Sequence, residues 1–492
     1  MSVKNQNTKI IFGLKVRQFR LGKGMLFDDL AKRSGISASY LNEIEKGKKY
    51  PKTEKMKNLA EALEVSVEEL TAVDLTGALA PVGKLLKSDF LSELPLDLFG
   101  IELSKVIQII AGAPKHVGAF ISTMVELGRN YAVQEGNFYH RAMRAYQELN
   151  LNYFEEIEIA ASNFIDEHKL TRGGVVRPET LANLLSSLHQ YNINYNGLAA
   201  YPDLQFLRAV FVPKKKQLLL NSKLTKKQQA FQMAKELGYD CLQIKERAMT
   251  SSLLEVKNFD SVYNHFKSSY FAAAILVDEQ SLVNDIRNLF QNQSWSPTVF
   301  TDLLNKYQAT PQMLLHRMVS MLPKHFGLSR IYLLRCTKNT KTNNFEIDRE
   351  LHLNHSHHPH GNGLLEHYCR RWQTIRLSND LTEQNITDHA QTLVGAQRIR
   401  YHGTDEEYLT ISVAHPAYSS EHHLVSITVG IMLDDTLKSQ VAFWNDPAIP
   451  FEEVNVTCER CPIQNCTERA TEAKVINGRI RRQRIKDTLE NL

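Results

Sequence analysis

No apolar run in this 492-residue chain approaches the length of a membrane span, the longest lying around Tyr270 to Val277. The opening stretch MSVKNQNTKI lacks the apolar core of an export signal, so a cytoplasmic location is expected. Cysteine is scarce. Six residues, Cys241, Cys336, Cys369, Cys458, Cys461 and Cys466, are too few to staple a chain of this size with disulfides. A large excess of one charge is also missing, since Lys+Arg exceed Asp+Glu by only five. What remains is an ordinary globular composition, 43% hydrophobic and 23% charged, over a length that calls for several cores.

The most informative stretch is residues 34–47, SGISASYLNEIEKG. An apolar stripe through Leu30 and Ala31 stops at Ser34-Gly35, and a second, Ile36, Leu41 and Ile44, restarts at helical spacing, which predicts helix, glycine turn, helix. Ser37 is placed to cap the second helix, and Leu41 and Ile44 face inward. Ser39, Tyr40, Asn42 and Glu43 then face outward as a polar set able to reach base edges in a major groove. Lys46, Lys48 and Lys49 follow as candidate phosphate contacts, within a segment, residues 1–72, that holds 14 basic against 9 acidic residues. A first helix is expected over residues 10–23, with Leu14 and Phe19 inward and Lys15, Arg17 and Arg20 available to solvent or partners. Helices over 52–63 and 67–70 would complete a five-helix domain. These residues resemble the Cro/repressor type of helix-turn-helix of the XRE family over roughly positions 10 to 72. The resemblance implies an ion pair between Arg20 and Glu45, and departs from the family at Phe27, where a polar phosphate contact is usual.

Residues 73–175 read as a linker and helical spacer, with Leu103, Val106, Ile107 and Ile110 on one face and Phe120, Met124 and Leu127 on another. Short strands follow at 208–212 and 217–220, then a helix over 226–238 containing FQMAKELGY. Here the chain resembles the zinc-peptidase-like domain of the ImmA/IrrE class, in which His-Glu-x-x-His places two metal ligands one helical turn apart. The ligand positions hold Lys235 and Tyr239, and only Glu236 keeps its type. The helix YFAAAIL at 270–276 matches the family's second marker, with His265 and Lys267 where an acidic ligand is expected. A scaffold without peptidase activity is therefore expected over 176–290. Beyond it, helices within 298–327, a helix at 364–372 and strands at 331–335, 408–413 and 424–432 predict an α/β (GAF-like) sensor domain over 291–450. His352, His355, His357, His358 and His360 offer no ordered pair of ligands and read as a solvated loop. Cys241 and Cys336 read as small buried hydrophobes.

Residues 451–492 carry Cys458-x2-Cys461-x4-Cys466, a spacing suited to zinc or an iron-sulfur cluster, with Cys369 in Cys-Arg-Arg-Trp the best candidate for a fourth ligand. The whole series, helix-turn-helix, spacer, disabled peptidase-like domain, Cys-x-x-Trp and terminal C-x2-C-x4-C-x2-R, resembles the RamB/PrpR regulators of short-chain acyl metabolism. That resemblance implies a four-iron cluster on Cys369, Cys458, Cys461 and Cys466 and response to an acyl-coenzyme A; a structural zinc fits the same thiolates. The expectation is a multidomain chain, mainly α with α/β parts. It would act as a non-enzymatic, sequence-specific regulator that binds double-stranded DNA as a homodimer or higher oligomer and senses a metabolite or redox state. Two alternatives stand beside it, a metallopeptidase-type stress regulator and an antitoxin-like autoregulator.

Overall fold

The computed structural model describes residues 3–72, 135–254, 256, 258–353, 366–388, 391–417 and 422–491. The chain forms two compact units, residues 1–146 with 255–259, and residues 147–254 with 260–492. The apolar faces expected at Leu103 to Ile110 and Phe120 to Leu127 lie outside the described residues.

The first unit opens with five helices, α1 (Val3–Gly22), α2 (Phe27–Ser34), α3 (Ala38–Glu45), α4 (Thr53–Ala62) and α5 (Val67–Thr71). Phe12, Val16, Leu30, Leu41, Ile44, Leu59, Leu63 and Leu70 form their common core, each almost fully removed from solvent. The turn between α2 and α3 depends on Gly35, whose φ of 66° is a left-handed conformation open to glycine at no steric cost. Gly13 serves packing instead: a side chain there would collide with the backbone carbonyl of Ile44, so its bareness lets α1 lie against the end of α3. Lys15 differs from expectation. It is buried, and its ammonium donates to the Glu69 carbonyl at 2.8 Å, tying α1 to α5 rather than reaching solvent. Next in the chain stands α6 (Glu135–Leu149).

The second unit begins with α7 (Glu155–Glu167) and α8 (Pro178–His189), followed by β1 (Asn192–Asn194), β2 (Ala209–Val212) and β3 (Gln217–Leu220). These make a three-stranded sheet in the order β1-β3-β2, with β1 parallel and β2 antiparallel to β3. Helices α9 (Lys226–Cys241), α10 (Phe259–Leu276), α11 (Glu279–Gln291), α12 (Pro297–Tyr307) and α13 (Pro311–Phe326) come after them. Thr225 and Gln228 form a reciprocal capping box that starts α9. A buried ion pair joins three helices: Arg317 donates to Glu158 Oε1 at 2.5 Å and Oε2 at 3.2 Å, and the Tyr270 hydroxyl donates to the same carboxylate at 2.6 Å. Such a pair is costly to break from one side, because the partner left behind is a buried charge.

The remaining strands are β4 (Ile331–Asn339) and β5 (Asn344–His352), then α14 (Gln373–Glu383), β6 (Leu393–Tyr401), β7 (Glu407–Pro416) and β8 (His423–Met432). After them come α15 (Asp435–Gln440), β9 (Phe451–Val454) and α16 (Lys474–Glu490). The sheet order is β5-β4-β8-β7-β6-β9, antiparallel except where β9 runs parallel to β6. Helix α14 lies across β6, β7 and β8. The helix expected over 364–372 is not formed by its described part. Tyr368 pairs with Thr457, the Cys369 N–H donates to the Val456 carbonyl, and the Arg371 carbonyl accepts from the Gln397 amide, so long-range partners claim this backbone and the helix starts at Gln373. His352 closes β5 and is buried rather than solvated; the other four histidines of the tract lie outside the described residues. Cys336 is buried as expected, whereas Cys241 is exposed.

Candidate functional site

On α3, Ser37 accepts from the Tyr40 N–H at 3.3 Å and so caps the helix. Ser37 and Ser39 are exposed, Tyr40, Asn42 and Glu43 are half-buried, and Lys46, Lys48 and Lys49 are exposed. The Glu43 carbonyl accepts the N–H groups of both Lys48 and Lys49, a turn that fixes where the basic run leaves the helix. Lys55 lies 4.4 Å from the centre of the Tyr40 ring, adding a cation beside the polar set. Underneath, Arg20 grips Glu45 through two hydrogen bonds, Nε to Oε1 at 2.6 Å and Nη2 to Oε2 at 3.0 Å, as the resemblance implied, and its third donor satisfies the Met25 carbonyl at 2.9 Å. Phe27 has a packing role: the Arg20 guanidinium sits 4.2 Å from its ring centre.

In the peptidase-like region α9 holds Lys235, Glu236 and Tyr239, all buried. Arg247 lies against the Glu236 carboxylate, donates to the Tyr191 hydroxyl at 2.8 Å, and stacks 3.9 Å from the Phe211 ring and 4.5 Å from the Tyr239 ring. Tyr191 also donates to Glu236, at 3.3 Å. The Lys235 ammonium donates to the Ser251 carbonyl at 3.3 Å and stands 2.6 Å from His265 Nε2. Burial pulls its pKa down to about 7, against the pull of Glu236. Glu236, the residue type that would activate a metal-bound water, is therefore neutralised by a guanidinium. Arg247 and Tyr191 carry no sequence signal for this role: one stands in the loop just past the end of α9, the other directly before β1.

The cysteines converge. Cys369, Cys458, Cys461 and Cys466 line one recess together with Arg371 and Arg469. The backbone explains the meeting. The Cys458 N–H donates to the His367 carbonyl at 2.8 Å and the Cys369 N–H to Val456 at 3.1 Å, a short antiparallel pairing between segments far apart in sequence. Polar pairs flank it: His367 Nδ1 lies 2.8 Å from Glu459, and ion pairs join Arg460 with Glu366 at 2.8 Å and Arg376 with Glu468 at 2.6 Å. Arg469 was visible in sequence only as the end of the motif. Its guanidinium donates to the carbonyls of Cys458, Cys461 and Ile463 at 2.8, 3.1 and 2.6 Å and so holds the loop that carries the thiols. Burial pushes the Cys369 thiol up to about 11, and Cys458 and Cys461 add to that shift. The Cys461 thiol is raised as well, again mainly by burial. As placed, no group of three or more His, Cys, Asp or Glu among the described residues could hold a single metal ion. Four soft thiol donors on one recess are a donor set that both zinc and iron-sulfur clusters use.

A two-helix corner with a buried Arg-Glu tie, a capped second helix and a basic exit defines a helix-turn-helix protein. A helix-turn-helix family model matches residues 16–70, and an IrrE N-terminal-like domain model matches residues 193–319. Over 60 residues the chain is 40% identical to the uncharacterized HTH-type transcriptional regulator YazB of Bacillus subtilis (strain 168), a match covering 12% of this chain and 87% of that protein. The chain belongs to the HTH-type transcriptional regulators. Among solved structures, it is similar to a Mycobacterium tuberculosis transcriptional regulator at 16% identity and a TM-score of 0.44, over 68% of this chain and 93% of that one. Among the described residues, no helix is long and apolar enough to cross a membrane.

Proposed function

We propose that the chain is a sequence-specific DNA-binding regulator whose second unit senses a metabolite or redox state through a centre held by Cys369, Cys458, Cys461 and Cys466. The observation that carries the sensing half is the convergence of those four thiols on one recess lined by Arg469. The resemblance supplies the effector class, an acyl-coenzyme A, and the cluster itself; zinc on the same thiolates is the second reading, and iron and sulfide counts separate the two. When bound, a four-iron cluster supplies one-electron redox chemistry and a cross-link between the two cysteine segments.

The DNA half is tested through the basic exit of α3. Changing Lys48 and Lys49 to alanine should lower the salt dependence of binding by about 0.9 in the slope of log K against log salt for each phosphate no longer neutralised. Ser39, Tyr40 and Asn42 variants should instead change sequence preference. An unchanged affinity and slope in the double lysine variant would remove the basic run from the interface.

We infer further that the peptidase-like region does not hydrolyse peptides. Lys235 and Tyr239 stand at the two ligand positions, and Arg247 neutralises Glu236. Incubated with zinc and an unfolded protein substrate, the chain should leave that substrate intact. A zinc-dependent cleavage that disappears in Glu236→Gln would instead support the peptidase reading.

A further inference from the structure

Helix α16 (Lys474–Glu490) carries Lys474, Arg479, Arg481, Arg482, Arg484 and Lys486 against only Asp487 and Glu490. Set beside the excess of five in residues 1–72 and the excess of five for the whole chain, this means that the rest of the sequence is net acidic. Helix α16 is thus a local concentration of positive charge, six cations against two carboxylates in 17 residues. None of its residues is buried.

Only Val475, Ile476 and Gly478 of its 17 residues are partly covered, and the helix touches the chain at the turn of residues 458–460, so it draws little stability from tertiary packing. Gly478 in its interior costs about 1 kcal/mol relative to alanine. No acidic residue stands in its first turn, and Asp487 and Glu490 lie near its C-terminal end, an arrangement that opposes the helix dipole. Internal support is limited to pairs such as Lys486 with Glu490 at 3.8 Å and Gln483 with Asp487 at 2.7 Å. A partner of opposite charge would supply what the helix lacks.

The distribution of side chains selects the partner. Ile480, Ile485 and Leu489 are exposed; Ile485 and Leu489 share one side, but Ile480 points about 140° away from Ile485, so the three form no single apolar stripe. A helix that lies on a lipid surface or zips against another helix needs such a stripe. The six cations of α16 instead spread over about 220° of its circumference, the remaining sector holding Ile476, Ile480, Gln483, Asp487 and Glu490. That fits a helix lodged between two walls of phosphates, as in the major groove of B-DNA, which admits an α-helix; the deep, narrow major groove of duplex RNA does not.

We propose that α16 is a second DNA-binding element, which engages phosphates in addition to those met by the helix-turn-helix. The inference rests on the regulator reading above. It is tested on the full chain by fluorescence anisotropy with a mixed-sequence DNA duplex over a salt series. Changing Arg481, Arg482 and Arg484 together to alanine should reduce the slope of log K against log salt by roughly 0.9 per phosphate no longer neutralised, up to about 2.7. Changing the same three to lysine should keep most of the slope, which separates lost charge from lost fold. Binding by the unaltered chain with an unchanged slope in the alanine variant overturns the proposal for α16 alone. An effect seen only on duplex RNA, or only on vesicles containing phosphatidylserine, overturns it as well. Failure of the unaltered chain to bind any duplex overturns both this inference and the regulator reading.

Discussion

Glu45→Ala should unfold the helix-turn-helix and remove sequence-specific DNA binding from the full chain. Arg20 and Glu45 are both buried, and Arg20 spends its Nε and Nη2 on the Glu45 carboxylate and its Nη1 on the Met25 carbonyl. Deleting the carboxylate leaves a guanidinium in the core of a small helical domain, at a cost of about 3–5 kcal/mol. A core of this size supplies roughly that much in total. Hydrogen exchange on the full chain is the direct measurement: amides of α2 and α3 should lose protection in Glu45→Ala while those of β7 and β8 keep it. The double change of Arg20 and Glu45 to methionine provides the control. Replacing both charges by apolar side chains removes the stranded cation, so protection should return for the most part. If Glu45→Ala leaves α3 fully protected, the ion pair does not hold the two helices together.

The second large effect concerns the thiols. Cys369→Ser and Cys461→Ser should each abolish metal content in the anaerobically purified chain, even though the two positions sit on segments joined only by long-range pairing. Structural metal sites built from thiolates bind with about 10–16 kcal/mol, so losing one ligand of four removes far more than any single hydrogen bond. Both variants should also show new protease cleavage in residues 455–470, because the cross-link and the Arg469 clamp support the same loop. An altered affinity for DNA should follow in the full chain. Should Cys461→Ser lose its metal while Cys369→Ser keeps all of it, Cys369 is not a ligand and another donor completes the site.

The parts of the fold that were legible in the sequence are those set by neighbours within a few positions. The stripe Ile36, Leu41 and Ile44 and the glycine at 35 fix the α2–α3 corner locally, and the alternating apolar runs at 408–413 and 424–432 locate β7 and β8. Elsewhere distant partners decide the local structure. Leu364, Tyr368 and Trp372 are spaced like one face of a helix, but Tyr368 is claimed by Thr457 and the Arg371 carbonyl by Gln397. Lys15 reads as a surface cation until the Glu69 carbonyl is folded against it. Arg247 is the clearest case. The sequence shows that the metal ligands of the peptidase-like helix are gone, yet it cannot show that a guanidinium from a later loop lies against the remaining carboxylate. The basic helix α16 was hidden by a different effect, since its charge vanishes in a whole-chain sum.

The pairing of residues 367–369 with 456–458 also sets an order of events during synthesis. His367 and Glu459 are 92 positions apart, and β6 acquires its outer neighbour β9 only through residues 451–454. A nascent chain paused before residue 451 therefore lacks the Val456 carbonyl that receives the Cys369 N–H, and has an open edge on β6. Contacts of such long sequence separation form late. On the proposed reading, a centre held by the four thiols forms only after residue 469 has left the exit tunnel, so truncated translation products should emerge without it and with an unpaired strand that invites aggregation.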